Sequence, residues 1–243
     1  MISTDARETI LPQNSAEDLK KLSHASVIAV GAGGLGSPAL ACLAAAGVGH
    51  LGIVDFDAVE PCNLNRQFLH HTCDIGRSKA ESAKEKLLDL NKNIYITTYP
   101  ERLTEMNAEN LICKYDIVIG AVDSFETRHI INRACVTLGI PYIDGGVNGF
   151  NGYAVFTFPP EIPCLNCVFP GVSGKKNMTG VPGFVAGIIG AMQANMAIIR
   201  LLGLPVAGRL LLYDGLRSDF DRIEIRRNGD CTVCGNGING KKR

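Results

Sequence analysis

A glycine-rich turn near the N-terminus is the first candidate for chemistry. Gly31, Gly33 and Gly36 lie in the run G-A-G-G-L-G, which follows a predicted strand and precedes a predicted helix. Backbone amides at such a helix N-terminus can approach a phosphate or a ribose closely. Asp55 ends the next predicted strand, where a carboxylate can accept hydrogen bonds from ribose hydroxyls. The pattern predicts a nucleotide site and leaves open a dinucleotide, ATP or a structural turn.

The segment after Asp55 favours a triphosphate over a dinucleotide. It reads D-F-D-A-V-E-P-C-N-L-N-R-Q and contains Asn63, Asn65 and Arg66, a polar cluster that an NAD enzyme does not need. The Arg66 guanidinium is a planar fork suited to phosphate, and Lys79 offers a point charge on a flexible stem. These side chains could surround β- and γ-phosphates without a Walker A loop, which the sequence lacks. Ordinary solvated surface charges are the alternative.

Four cysteines form two C-x₂-C pairs, Cys164 with Cys167 and Cys231 with Cys234. Four thiolates at this spacing suit tetrahedral Zn²⁺ with no open coordination position, so the sequence predicts a structural site. Such a site would join the C-terminal tail to the segment after the sheet. A redox role for either pair is the alternative, although metal explains two pairs better.

The remaining cysteines and the histidines receive no catalytic assignment. Cys42 and Cys135 lie in apolar helical segments and are predicted core residues. Cys62 lies in the phosphate segment, and we expect it to serve packing alone. The histidines form no Ser/His/Asp or Cys/His constellation, and His70-His71, beside the phosphate segment, is the one pair of interest. The full set is His24, His50, His70, His71 and His129.

Composition excludes several classes of protein. The chain has 243 residues, 46% of them hydrophobic, and 24 basic against 24 acidic side chains, so its formal net charge is zero. Such a chain can bury a full core but has no global field for holding nucleic acid. The N-terminus has no basic and apolar leader pattern, and polar residues or glycines interrupt the apolar stretches. We expect a cytoplasmic protein that binds neither nucleic acid nor membrane.

Strands alternate with helices along the first part of the chain, which predicts an α/β fold with a Rossmann-like, doubly wound, mostly parallel sheet. The segment GYAVFTFP predicts a strand at the far end of this sheet, and a long helix, C-terminal strands and the zinc knuckle extend it. We expect a single domain spanning 1–243. Its parts are an N-terminal arm and helix (1–24), a nucleotide-binding core (25–150) and a partner-binding, zinc-stapled part (151–243).

Several motifs in order resemble the MoeB/ThiF/HesA family, bacterial relatives of ubiquitin-activating enzymes. They are G-x-G-G-L-G, L-A-A-A-G-V-G, D-x-D-x-V-x-x-x-N-L-N-R-Q, I-G-R-S-K-A, A-V-D-S-F-E-T-R, both Cys pairs and G-I-I-G-A-M-Q-A. The resemblance covers essentially the whole chain. It implies an adenylyltransferase that uses ATP and Mg²⁺, and it also implies the structural Zn²⁺ site.

By resemblance, individual residues acquire roles. Gly34 and Asp55 would contact the nucleoside, residues 63–66 would contact the phosphates and ribose, and Lys79 would contact the phosphates. Asp123, followed by Ser124, would hold Mg²⁺, although an Asp-Ser pair before a helix can also be an N-cap. The segment R-E-T-I-L-P resembles one in which an arginine reaches a neighbouring subunit's site. This implies that Arg7 acts in trans in a homodimer.

The implied reaction is adenylation of the C-terminal Gly-Gly carboxylate of a ubiquitin-like sulfur-carrier protein, in thiamine or molybdenum cofactor biosynthesis. Residues 171–182 would cover the carrier's tail, and Gly145, Gly146, Gly149 and Gly152 would give it room. Turn geometry is the alternative explanation for these glycines. Residues 175–179 contain no cysteine, unlike some relatives, so we expect adenylation alone, with sulfur supplied by a cysteine desulfurase or sulfurtransferase. The alternatives are an NAD(P)-dependent oxidoreductase, activation of another peptide or carboxylate, and a non-catalytic scaffold.

Overall fold

Eight strands form one sheet in the order β3-β2-β1-β4-β5-β6-β7-β8. The structure, a computed structural model, describes residues 16–173 and 180–235. The strands are β1 (Ser26–Val30), β2 (His50–Val54), β3 (Tyr95–Tyr99), β4 (Ile117–Gly120), β5 (Tyr142–Asn148), β6 (Asn151–Thr157), β7 (Arg209–Asp214) and β8 (Asp219–Glu224).

The first five strands are parallel and carry the nucleotide-type half of the fold. β1 pairs with β2 on one side and β4 on the other, β2 pairs with β3, and β4 pairs with β5. Because β1 lies between β2 and β4, the strand order reverses there, and the loops after β1 and β4 open a crevice at the carboxyl edge. The predicted Rossmann-like, mostly parallel sheet is confirmed.

The last three strands are antiparallel, and their order corrects one prediction. β6 pairs with β5 through a hairpin, β7 pairs with β6, and β8 pairs with β7. The segment expected at the far end of the sheet, β6, is therefore an interior strand, and the prediction of its position is wrong. β8 forms that edge instead, because the C-terminal hairpin adds two strands beyond β6.

Helices cover both faces of the sheet. One apolar core joins α2, α3 and α7 to the sheet, and a second lies beneath α4 and α5. The helices are α1 (Ala16–His24), α2 (Gly36–Ala45), α3 (Lys79–Leu90), α4 (Ala108–Ile112), α5 (Phe125–Leu138), α6 (Leu165–Val168) and α7 (Gly183–Leu201).

One helix of the described residues, α7, is long and apolar enough to cross a membrane. In this fold it packs against α2 and the sheet. Val185, Ala186, Ile189 and Ala197 on its inner face are fully buried. The packing accounts for its apolar sequence, because a helix sandwiched in a core must be apolar over most of its surface. α7 is therefore a core helix.

Candidate active site

The glycine turn after β1 packs tightly against the loop after β4. Gly31 has φ +101°, and a Cβ there would lie 2.5 Å from the carbonyl oxygen of Ala121. A Cβ on Gly36 would lie 2.0 Å from the carbonyl oxygen of Gly31. Only glycine fits at both positions, because the backbone itself occupies the space that a side chain needs. The turn thus brings the loop that contains Asp123 beside the start of α2.

Asp55 holds the glycine turn in place. One carboxylate oxygen accepts the backbone N–H of Ala32 at 2.8 Å, and the other accepts that of Asp57 at 2.9 Å. Desolvation raises the pKa of this buried carboxyl above its usual range. Each oxygen keeps a lone pair for a ligand hydroxyl. Asp55 therefore lies where the sequence predicted and also shapes the turn.

Arg66 lies over the glycine turn. A Cβ on Gly34 would be 3.5 Å from the Cγ of Arg66 and 3.7 Å from its Cδ. The guanidinium donates to the carbonyl of Cys62 at 3.0 Å and to the side chain of Asn65 at 2.8 Å. It has no carboxylate partner within the described ranges, so its charge is uncompensated by an ion pair. A guanidinium held at a glycine turn in this way is well placed to donate hydrogen bonds to a phosphate.

Lys79 is a buried cation at the start of α3, beside the same crevice. Its ammonium donates to a carboxylate oxygen of Asp57 at 2.9 Å, and its side chain is only 8% exposed whereas that of Asp57 is 49% exposed. Its backbone N–H donates to the carbonyl of Asp57 at 3.0 Å. Both bonds tie Lys79 to the segment that follows Asp55. The sequence singled out Lys79 but gave Asp57 no role, although the motif contains it.

Asn63 and Asn65 occupy different environments. Asn63 is buried, and its side-chain oxygen accepts the backbone N–H of Glu60 at 3.1 Å, which caps the 3₁₀ turn Pro61–Asn63. Asn65 is exposed and orients Arg66. A Cβ on Gly183, the first residue of α7, would lie 2.4 Å from the carbonyl oxygen of Asn65. Asn63 thus shapes the segment, while Asn65 and the start of α7 border the crevice.

Asp123 and Ser124 follow β4 and begin α5. The hydroxyl of Ser124 accepts the backbone N–H of Thr127 at 3.2 Å, so Ser124 is the N-cap. Asp123 is exposed, and its carboxylate has no ion-pair or hydrogen-bond partner among residues 16–173 and 180–235. The N-cap role that the sequence left open therefore belongs to Ser124. The Asp123 carboxylate is free for a ligand.

Two residues that the sequence left without a role border the turn. His70 is buried; one ring nitrogen bonds to the hydroxyl of Ser82 at 2.9 Å, and the other bonds to the carbonyl of Ala32 at 3.0 Å. Gln67 is also buried, and its side-chain nitrogen would lie 3.4 Å from a Cβ on Gly33. In the sequence, the N-L-N-R-Q motif contained the signal for Gln67 and the His-His pair contained the signal for His70. Their contacts depend on tertiary packing.

The four paired cysteines converge into one cluster. The sulfur atoms of Cys164 and Cys231 are 3.7 Å apart, those of Cys167 and Cys234 are 3.5 Å apart, and all four lie within 4.8 Å of one another. Tetrahedral Zn²⁺ with Zn–S bonds of about 2.3 Å sets neighbouring sulfurs roughly 3.8 Å apart. The donor set and spacing therefore fit zinc. Burial raises the pKa of Cys167 to about 11, so binding must displace protons.

Four glycines expected to give a carrier's tail room are explained by the chain's own packing. A Cβ would lie 2.7 Å from Gln193 at Gly145, 2.4 Å from Tyr153 at Gly146 and 2.5 Å from Ile189 at Gly152. Gly149 turns the β5–β6 hairpin with φ +57°. Arg7 and residues 174–179 of the expected covering loop lie outside the described residues.

The other cysteine predictions have mixed outcomes. Cys135 is fully within the core, as expected, whereas Cys42 is only half-buried at the edge of its core. Cys62 is exposed, outside the core, and its thiol donates to a carboxylate oxygen of Glu60 at 3.4 Å.

The fold and the crevice define an α/β nucleotide-binding protein whose cations gather at a glycine turn. The chain belongs to the ThiF family, whose model matches residues 6–233. A sulfur carrier protein adenylyltransferase of Thermus thermophilus is 42% identical over 241 residues, covering 94% of this chain and 89% of the relative. An adenylyltransferase and sulfurtransferase MOCS3 of Culex quinquefasciatus is 40% identical, covering 96% of this chain. The prediction of an adenylyltransferase is confirmed.

The chain spans about half the length of the MOCS3 relatives, 55% for that of Culex quinquefasciatus. Solved structures of E. coli MccB share the fold. MccB with succinimide superposes with a TM-score of 0.87 at 22% identity, covering 97% of this chain and 74% of MccB. MccB with ATP superposes with a TM-score of 0.81 at 23% identity, covering 90% and 69%. These likenesses establish the architecture.

Proposed function

We propose that this chain adenylates the C-terminal Gly-Gly carboxylate of a ubiquitin-like sulfur-carrier protein with ATP. The observation that carries the proposal is that both cations, Arg66 and Lys79, border Asp55 and the glycine turn. Arg66 lies against Gly34 of the turn. Lys79 pairs with Asp57, whose backbone N–H donates to Asp55, the carboxylate that also holds Ala32 of the turn. The Thermus thermophilus relative, named a sulfur carrier protein adenylyltransferase, supports the choice of substrate.

The reaction requires charge stabilisation and no general base. The carrier's α-carboxyl, with a pKa of about 3.3–3.7, is ionised at neutral pH and attacks the α-phosphorus of ATP. The bond to the bridging oxygen breaks, and pyrophosphate leaves with the electron pair. Negative charge therefore builds on the leaving group, and preorganised cations can stabilise it. Arg66 would bind the phosphates bidentately, and Lys79 would turn its ammonium from Asp57 to the polyphosphate.

The carboxylate of Asp123, which has no partner among the described residues, fits a Mg²⁺ site. It lies two residues beyond Ala121, whose carbonyl contacts Gly31 of the turn, and carboxylate oxygen is a ligand that Mg²⁺ prefers. When bound, Mg²⁺ neutralises phosphate charge. The Ser124 hydroxyl stays with Thr127 as the cap of α5. Asp55 would accept ribose hydroxyls while holding the turn.

We also propose a structural metal, a second subunit, a sulfur donor and a cellular compartment for this protein. The four-cysteine cluster would bind one structural Zn²⁺. Arg7 would complete the neighbouring subunit's site in a homodimer, and a cysteine desulfurase or sulfurtransferase would supply the sulfur, in thiamine or molybdenum cofactor biosynthesis. The protein would act in the cytoplasm as a single domain with the three parts that the sequence predicts.

The test is ATP–pyrophosphate exchange with two forms of a candidate carrier, one intact and one lacking its terminal Gly-Gly. We expect exchange with the intact carrier alone, because the attacking carboxylate must reach the α-phosphorus through the extended tail. Equal exchange with both forms would refute the carrier as substrate. Binding of a nicotinamide dinucleotide without any exchange would instead support the oxidoreductase alternative.

A further inference from the structure

A buried charged cluster is hydrogen-bonded to the residue that precedes Asp123. Arg128 of α5 donates to a carboxylate oxygen of Asp144 at 2.5 Å, and Asp144 belongs to β5. The hydroxyls of Tyr142 and Tyr153 donate to the same carboxylate at 2.6 and 2.8 Å. Asp144 is fully buried and the side chain of Arg128 is 6% exposed. The network thus joins α5 to two strands of the sheet.

Arg128 also holds the loop after β4. Its second terminal nitrogen donates to the carbonyl of Val122 at 2.6 Å, and Val122 immediately precedes Asp123. β4 ends at Gly120, so residues 122–123 lie beyond the last rung of the parallel ladder. This hydrogen bond joins the residue before Asp123 to Asp144 of β5 through Arg128, while the Ser124 cap joins the residue after Asp123 to α5.

The arrangement is costly, which argues for a specific purpose. An isolated charge in the interior is unfavourable, and a buried pair is often no more stabilising than apolar side chains of the same volume. The Nε of Arg128 is also buried without a hydrogen-bond partner among the described residues. An aliphatic side chain could fill this space but could not donate to Val122. The hydrogen bond to Val122 is therefore a reason for a buried arginine at this position.

We propose that Arg128 is a positioning residue for the metal-binding carboxylate, anchored by Asp144 and Tyr153 and acting on Asp123 through the carbonyl of Val122. The inference rests on the proposed function, because it takes Asp123 as the Mg²⁺ ligand. Residues that orient a metal ligand without touching the metal typically change metal affinity about 10- to 100-fold when replaced. Arg128→Lys keeps the charge and loses the planar fork that reaches two partners at once.

The experiment measures Mn²⁺ binding in the presence of a non-hydrolysable ATP analogue, using the electron paramagnetic resonance signal of free Mn²⁺. We expect Arg128→Lys and Asp123→Asn each to weaken Mn²⁺ binding about 10- to 100-fold, and the double variant to bind no more weakly than Asp123→Asn. Arg133→Lys is the matched control, since Arg133 lies on the same helix with a half-exposed side chain. It should bind Mn²⁺ like the wild type.

The midpoint of thermal unfolding, measured for each variant, distinguishes a loss of Mn²⁺ binding caused by a misplaced Asp123 from one caused by unfolding. Tyr153→Phe keeps Arg128 and removes one of its supports, so it should remain folded and weaken Mn²⁺ binding by less than Arg128→Lys. If Asp123→Asn weakens Mn²⁺ binding while folded Arg128→Lys and Tyr153→Phe bind like the wild type, the inference on Arg128 is overturned and the proposed function stands. If the wild type shows no nucleotide-dependent Mn²⁺ site, the metal part of the proposed function fails, and the inference fails with it.

Discussion

The ammonium of Lys79 and its own backbone N–H both donate to Asp57, the first to the carboxylate at 2.9 Å and the second to the carbonyl at 3.0 Å. Asp57 therefore holds the buried cation at the mouth of the crevice and balances its charge before a nucleotide arrives. In the proposed reaction the same carboxylate competes with phosphate for Lys79.

Asp57→Asn should tighten pyrophosphate binding modestly. Removing the competing charge frees Lys79, and because Asp57 is half-exposed the gain should match a solvated ion pair, about 0.2–1 kcal/mol or roughly 1.4- to 5-fold. The half-saturating pyrophosphate concentration in the exchange assay measures this. Asp89→Asn, which removes an exposed charge on α3, should have no effect. Much weaker binding in Asp57→Asn would mean that Asp57 itself contacts the ligand or its metal.

The cysteine cluster predicts one tightly held zinc ion per chain. Cys164→Ala should abolish zinc in metal analysis of the purified protein. It should also lower the midpoint of thermal unfolding, because zinc coordination would no longer join the tail at 231–235 to the segment after β6. Cys113→Ala removes an exposed thiol outside the cluster and should keep the zinc. The site would be contradicted by wild-type protein that contains no zinc and whose four cluster cysteines react with a thiol reagent.

Stability should decrease on mild acidification because of His70. Burial lowers the pKa of its imidazole below the usual 6.5, so the folded state favours the neutral ring between Ser82 and Ala32. The unfolded state binds the proton more readily. The stability that His70 contributes is complete above pH 6.5 and is lost as the pH falls from there towards the pKa of His70 in the folded state. The free energy of unfolding should fall by at most about 1.4 kcal/mol per pH unit.

Urea unfolding at pH 7.5, 6.5 and 5.5 measures this dependence. His70→Gln, which can still hydrogen-bond but does not titrate in this range, should flatten the profile, whereas His71→Asn should not. A profile for His70→Gln as steep as that of the wild type would show that another group is responsible.

Gly145→Ala should destabilise the fold. The added Cβ would lie 2.7 Å from Gln193, and this side chain cannot move aside freely because it donates to the carbonyl of Gly120 at 2.8 Å. Overpacking of this kind costs about 1–3 kcal/mol. Gly180→Ala is the control, since a Cβ there meets nothing within 4 Å, and should change the free energy of unfolding by less than about 0.5 kcal/mol. Equal stabilities would mean that Gly145 is not required for packing.

The parallel half of the fold was predictable because β1, β2 and β4 are short apolar runs separated by segments with helical spacing. The antiparallel half was not, since the order of β6, β7 and β8 is decided by tertiary pairing. For Gly149, the sequence left room for a tail and turn geometry as alternatives, and in the structure this residue turns the β5–β6 hairpin.

The residues of the candidate site also divide into those that the sequence identified and those that only the folded structure reveals. Arg66 and Lys79 could be singled out because a motif of known spacing contains them. The capping role of Asn63 and the ion pair of Asp57 depend on side-chain directions that spacing does not reveal. The pairing of Arg128 with Asp144 joins a helix to a strand that adjoins it only after folding. The sequence therefore predicted the ligand-facing residues better than those that support them.

In the proposed reaction, Arg66, Lys79 and Asp123 together hold the triphosphate. The direct measurement is ATP–pyrophosphate exchange, with the intact carrier, for Arg66→Gln, Lys79→Met and Asp123→Asn, each checked for folding by circular dichroism. We expect every variant to lose about 10²- to 10³-fold in exchange rate, as for removal of a preorganised charge-stabilising group. Wild-type exchange rates in all three folded variants would contradict this expectation.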